Sequence, residues 1–240
     1  MEFHLEMEEI FSHYSSIMDS LLRTPFYMYY FQRPYAREYG SDLGDNMGIW
    51  YGATRGCIVD EMCDWVVKFV TKVDAADNAC EREVRNYVEA INKGLGCYFV
   101  ECRFLGVYRK RIRFFKASEL EEFAPNEEEE DWVDDAAKIG LEMEDIWIEV
   151  PLYAYRRAAE PHIKRFLSQE EIKLGNSLRS PIAENYIETA VALWNEYGED
   201  EFWKIDAFCR VRGIGDLHTG NLGRLDGNLV IIDYASYLGD

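Results

Sequence analysis

The segment IGDLHTGNLGRLDGNLVIIDYA, residues 214–235, carries the most chemistry in the chain and decides how the rest is read. Asp216 is followed five residues later by Asn221, and the apolar run LVII then delivers Asp233. Asp226-Gly227 has the composition of a tight hairpin turn. A short loop carrying Asp and Asn, with another Asp across a hairpin, places three oxygen donors around one cleft. Oxygen donors suit a hard cation such as magnesium. Phosphoryl transfer needs a carboxylate to orient or deprotonate the attacking hydroxyl, and oxygen ligands for the cations that bridge the nucleotide phosphates. Aspartates also cap turns, and DG and GN dipeptides occur in any hairpin. The D-x-x-x-x-N spacing therefore gains its weight from LHTGN and from the strand that ends in Asp233.

DLHTGN followed by IIDYA resembles the catalytic loop and metal-binding strand of the protein-kinase-like superfamily. The His-x-Gly-Asn form is closest to its atypical and aminoglycoside-phosphotransferase-like members. The resemblance implies that Asp216 is the catalytic base, Asn221 a metal ligand and Asp233 the main magnesium ligand, with ATP and Mg2+ as cofactors. Two positions depart from the usual pattern. Tyr234-Ala235 replaces Phe-Gly after the metal-binding Asp, and Gly215 replaces the Arg that normally precedes the catalytic Asp. The second departure argues against a phosphate switch that depends on that Arg.

The same resemblance asks the N-terminal half for a lysine and a partnering glutamate. Val66-Val67-Lys68 has the form of the strand lysine that contacts nucleotide phosphates. A lysine inside an apolar run is expected to have a partner, because an unpaired buried ammonium is costly. Glu81 and Glu83 lie on the following helix, and Glu83 is favoured as that partner. No G-x-G-x-x-G is present. GIWYGATRG at 48–56 is the candidate phosphate cover, with Gly52 and Thr54 near its turn. The connector IEVPLYAY is expected to read adenine through its backbone at 149–153, around Glu149 and Leu152.

Element order fits this frame. Apolar residues from Phe3 to Leu21 recur at helical spacing, and an aromatic, Pro-containing stretch follows to Gly40. Glycines around IWY and CIV suit two short strands, and WVVKFV at 65–70 reads as a buried strand. Residues 75–93 read as a helix stopped by Gly94. Strands are expected at 97–108, 111–117 and 146–155, and helices over 156–173 and 182–212. Strands first and helices later predict an α+β, bilobal chain, and the resemblance implies that its lobes are those of a protein-kinase-like fold. Its parts are an N-terminal helix and irregular extension (1–40), a β-rich lobe with one helix (41–150) and a minimal, truncated helical lobe (151–240). The first lobe includes an exposed acidic insert at 119–135. The hinge is expected near Pro151–Tyr155.

The sequence has 45 acidic and 26 basic residues, a net charge of -19. That balance opposes binding to nucleic acid, which requires phosphate neutralisation by Lys and Arg, and binding to anionic membranes. It suits solubility, or docking on a basic protein. The six cysteines form no CxxC pair, no apolar run approaches membrane-spanning length, and the N-terminus is acidic where a leader is basic. A cytoplasmic protein with free thiols is expected.

Only seven residues follow Asp233. This compact layout resembles phage-encoded serine/threonine kinases made early in infection. The resemblance implies a host-takeover kinase acting on Ser or Thr of host proteins in the host cytoplasm. Two other classes stay open: a small-molecule phosphotransferase, and a kinase-fold binding protein (a pseudokinase) whose acidic surface blocks a basic partner.

Overall fold

The computed structural model describes residues 2–23, 28, 39–44, 47–51, 55–70, 78–123, 132–159 and 166–235 of the 240-residue chain. The protein is mixed α+β, with an antiparallel sheet region and a run of helices. It divides into two compact units that interleave along the sequence. The first holds Met1–Met62, Val67–Asn78 and Phe104–Ala154; the second holds Cys63–Val66, Ala79–Arg103 and Tyr155–Asp240. One break falls at Ala154/Tyr155, where the composition changes character. The helix assigned by sequence to the β-rich lobe belongs to the second unit.

In the first unit, helix α1 (Glu2–Leu21) buries Ile10, Tyr14, Ile17, Met18 and Leu21 along one stripe, as the 3.6-residue period requires. Strands β1 (Tyr39–Gly44), β2 (Met47–Tyr51), β3 (Gly56–Asp60) and β4 (Trp65–Phe69) pair antiparallel in sequence order. Strands β5 (Cys102–Phe115) and β6 (Met143–Arg156) complete a six-stranded sheet of order β1-β2-β3-β4-β6-β5. Asp19 on α1 accepts hydrogen bonds from Tyr108 Oη (2.7 Å) and Lys110 Nζ (2.5 Å) on β5. The Lys110 bond holds the Asp19 carboxyl below its usual range.

Several expectations are corrected here. The strands predicted at 97–108 and 111–117 are one strand, β5, preceded by a 3-10 turn at Gly96–Tyr98. The strand at 65–70 is not buried on both faces: Trp65, Val67 and Phe69 are buried, and Val66 and Lys68 are half-buried. Helices α3 (Ala117–Phe123) and α4 (Trp132–Ile139) take up the two ends of the acidic insert at 119–135. Leu120 and Trp132 are buried, and Trp132 packs on Phe114 and Phe115 with centroids at 6.1 and 6.3 Å. Burial of that indole outweighs the solvated character of the neighbouring glutamates.

In the second unit, helix α2 (Ala79–Asn92) buries Ala79, Cys80, Glu83, Asn86 and Ala90. Two polar side chains on an otherwise small, apolar stripe need buried partners. The helices predicted over 156–173 and 182–212 are four shorter ones: α5 (Gln169–Ser177), α6 (Pro181–Asn185), α7 (Ile187–Tyr197) and α8 (Glu199–Arg212). Ser168 starts α5 with a capping box to Glu171. The break between α6 and α7 falls at Tyr186 (φ −140°, ψ 73°), and that between α7 and α8 at Gly198 (φ 79°).

Gly175 lets α5 approach α7. A Cβ there would lie 2.3 Å from Ile187 Cγ1, a branched position that cannot swing aside freely. Overpacking typically costs about 1–3 kcal/mol, and the gain in helix propensity returns roughly 1 kcal/mol. Gly175→Ala is therefore expected to cost a net of up to about 2 kcal/mol in urea denaturation. A variant more stable than the parent would mean that the helices are not in this contact.

The unit ends in a hairpin, β7 (Leu222–Leu225) and β8 (Asn228–Ile231), paired from Leu222↔Ile231 to Leu225↔Asn228. Asp226 (φ 51°) and Gly227 (φ 84°) both take the left-handed conformation that a two-residue type I′ turn demands. An isolated hairpin is marginal in water, and this one is held by its surroundings. Arg224 donates two bonds to Glu196 on α7 (2.8 and 2.9 Å), and Tyr197 Oη donates to Leu229 O. Val100 N donates to Ile231 O (2.9 Å), placing 99–100 beside the last residue of β8.

Candidate active site

The loop after α8 begins at Gly213 (φ 65°), whose N–H returns to Cys209 O and Arg210 O. This left-handed helix end turns the chain into Ile214–His218. A 3-10 turn, Thr219–Asn221, then leads into β7, with His218 as its cap: Gly220 N donates to His218 Nδ1 (3.0 Å). Nδ1 is thus the acceptor nitrogen, and in the neutral ring Nε2 carries the proton.

Asn221 is the organising residue of this loop. It is 8% exposed, and its Nδ2 donates to the Asp216 carbonyl oxygen at 2.7 Å. Its own carbonyl accepts Ile232 N at 2.9 Å. One asparagine therefore ties the backbone of Asp216 to the residue immediately before Asp233. With Nδ2 committed, Oδ1 is left as the oxygen donor of the side chain, and it accepts no hydrogen bond from a described residue.

Asp216 is half-buried. Tyr186 Oη donates to its Oδ1 at 2.8 Å, and Oδ2 accepts no hydrogen bond from a described residue. That bond to Asp216 holds the Tyr186 phenol above its usual pKa, in the protonated donor form. Asp233 is half-buried, and its Oδ1 is enclosed with less than 1 Å2 of accessible surface.

The residues after Asp233 are fixed from α2. Glu83 is fully buried; its Oε1 accepts Tyr234 N (2.8 Å) and its Oε2 accepts Tyr155 Oη (2.6 Å). Asn86, one turn on, donates Nδ2 to Tyr234 O (2.9 Å) and accepts Arg212 Nε at Oδ1 (2.8 Å). Both backbone groups of Tyr234 are thus read by one helix face. The Tyr234 side chain is fixed as well: Oη donates to Val100 O (2.6 Å) and meets Cys102 Sγ at 3.0 Å. Burial pushes its phenol pKa well up.

Of the residues singled out from sequence, Glu83, Asp216, Asn221 and Asp233 lie together in the second unit. Lys68 lies in the first, on β4 opposite Cys57 of β3. Glu149 and Leu152 lie inside β6 rather than on a free connector. Glu149 is exposed and pairs with Arg109 Nε at 3.4 Å, and Leu152 is fully buried. Gly52 and Thr54 fall outside the described residues. Sequence reasoning missed Tyr155, Tyr186 and Asn86. A tyrosine in a strand or at a helix break, or an asparagine within a helix, gives no local signal that its partner lies far along the chain.

Asp216, Asn221 and Asp233 offer only oxygen donors, the chemistry that magnesium takes. Among the described residues, no group of three or more His, Cys, Asp or Glu side chains gathers as a soft-metal or multi-carboxylate site. No helix of the described residues is long and apolar enough to cross a membrane, and no disulfide joins any of the cysteines. No protein-family model, no curated protein and no solved structure matches the chain.

Proposed function

We propose that the chain is an ATP- and magnesium-dependent kinase that transfers the γ-phosphoryl group to Ser or Thr of host proteins. The bilobal kinase-like arrangement and the phage host-takeover role belong to the same proposal. The observation that carries it is the double tie of Asn221, to Asp216 O (2.7 Å) and Ile232 N (2.9 Å). That tie links the backbone of Asp216, through Asn221, to the residue before Asp233, and supports reading the three as one site.

In the reaction, Asp216 Oδ2 accepts the proton of the attacking hydroxyl. The hydroxyl oxygen bonds to the γ-phosphorus, the bond to the bridging oxygen breaks, and ADP leaves. Asn221 Oδ1 and Asp233 would hold magnesium, which neutralises the charge on the phosphate oxygens when bound. The resemblance gives Lys68 the role of cation for the nucleotide phosphates.

The net charge of -19 favours a second reading, a kinase-fold protein that engages a basic partner without chemistry. The two separate in one assay. The protein is incubated with γ-labelled ATP and magnesium, with and without host lysate. Label should appear on lysate proteins, vanish with excess EDTA and return when magnesium is restored in excess. Label on a metabolite alone would move the acceptor to small molecules. Failure to label anything, with binding to a basic protein retained, would leave the second reading.

A further inference from the structure

We propose that Tyr186 is a positioning residue for Asp216, holding one carboxylate oxygen so that the other faces the acceptor hydroxyl. This role rests on the phosphotransfer reading of the site.

Tyr186 stands at the break between α6 and α7, and its backbone is gripped from both sides. Its N–H donates to Ile182 O at 2.7 Å, and its carbonyl accepts Ala190 N at 3.0 Å. The ring lies edge-on to His218, centroids 6.2 Å apart. The phenol is therefore carried on a fixed backbone and delivered to Asp216 Oδ1 at 2.8 Å. A carboxylate only accepts, so the tyrosine is the donor. Its raised pKa keeps the proton on the phenol at neutral pH.

Asp216 is consequently held at two points, its carbonyl by Asn221 and its Oδ1 by Tyr186. The χ2 torsion of an aspartate is broad and roughly two-fold, so an unheld carboxylate presents either oxygen over a range of angles. The Tyr186 bond removes that freedom and leaves Oδ2 as the oxygen that accepts no hydrogen bond from a described residue. Misplacing a reacting group by about 1 Å can cost about a hundredfold in rate, so orientation of this kind belongs in kcat rather than in nucleotide binding.

The experiment compares Tyr186→Phe, Asp216→Asn and the double variant in single-turnover phosphate transfer. Tyr186→Phe should lower kcat roughly ten- to hundredfold, with KM for ATP within about twofold of the parent. In the Asp216→Asn background it should cause no further loss, because the group it positions is gone. A readout free of turnover is 13C NMR of the tyrosine ring carbons. Asp216→Asn should bring the Tyr186 titration down toward that of an ordinary phenol. Parental kcat in Tyr186→Phe, an equal loss in both backgrounds, or a Tyr186 titration unmoved by Asp216→Asn would each overturn the role. Undiminished turnover in Asp216→Asn itself would instead exclude Asp216 as the base, and this role with it, whereas no transfer by the parent protein would remove the phosphotransfer reading.

Discussion

Asp216→Ala should lower the rate of phosphate transfer by about 10²–10⁴, the range a general base contributes, while the protein stays folded. The separation follows from which atoms of Asp216 are used for what. Its structural bond is made by the backbone carbonyl, which accepts Asn221 Nδ2 at 2.7 Å and survives the substitution. Its side chain makes one described bond, to the hydroxyl of the half-buried Tyr186, where water can take the vacated place. The urea midpoint should therefore shift by less than roughly 1 kcal/mol. KM for ATP should stay near the parental value, since the lost interaction belongs to the acceptor hydroxyl in the transition state. Parental turnover in Asp216→Ala would exclude this carboxylate as the base.

The backbone geometry of the candidate site was legible because it is local. Residues 214–235 contain the loop, the turn and the strand, and Asp226-Gly227 took the conformation its composition implies. Long-range support was not legible. Nothing near Tyr186 shows that its hydroxyl reaches residue 216, and IAENYIETAVALWNEYG reads as one helix when only periodicity is considered. The break at Tyr186 is a tertiary choice: the backbone leaves the helix and the phenol reaches Asp216. The strand pair expected at 97–117 failed for a related reason. The gap expected at Arg109-Lys110 lies inside the continuous strand β5.

The Tyr234-Ala235 departure also acquires a physical account. A phenylalanine at 234 would fill the same space against Phe99, whose ring centroid is 5.2 Å away. The tyrosine adds a hydroxyl that meets Val100 O and Cys102 Sγ inside the core. A buried tyrosine hydroxyl usually finds such a partner. The chain just beyond Asp233 is thereby anchored by its side chain, in addition to the grip of α2 on its backbone.

That grip predicts a large effect on stability. Glu83 is 0% exposed and accepts two buried donors, Tyr155 Oη and Tyr234 N. Glu83→Ala leaves both without this acceptor and opens a cavity beside them. Each orphaned donor costs about 1–3 kcal/mol, so the variant should lose about 3–5 kcal/mol in urea denaturation. Glu83→Gln keeps one acceptor oxygen but turns an amide NH2 toward the other donor, and should lose about half as much. The glutamine variant carries the more informative result, since it is the one expected to fold. Tyr234 N–H is the first backbone donor after Asp233, so loosening its acceptor frees the Asp233 carboxylate to drift. Glu83→Gln should then need several-fold more magnesium for half-maximal transfer, roughly the cost of a weakened ligand support. A Glu83→Ala protein within about 1 kcal/mol of the parent would show that α2 does not hold this strand end. A stable Glu83→Gln protein with a parental magnesium requirement would show that the grip stops short of Asp233.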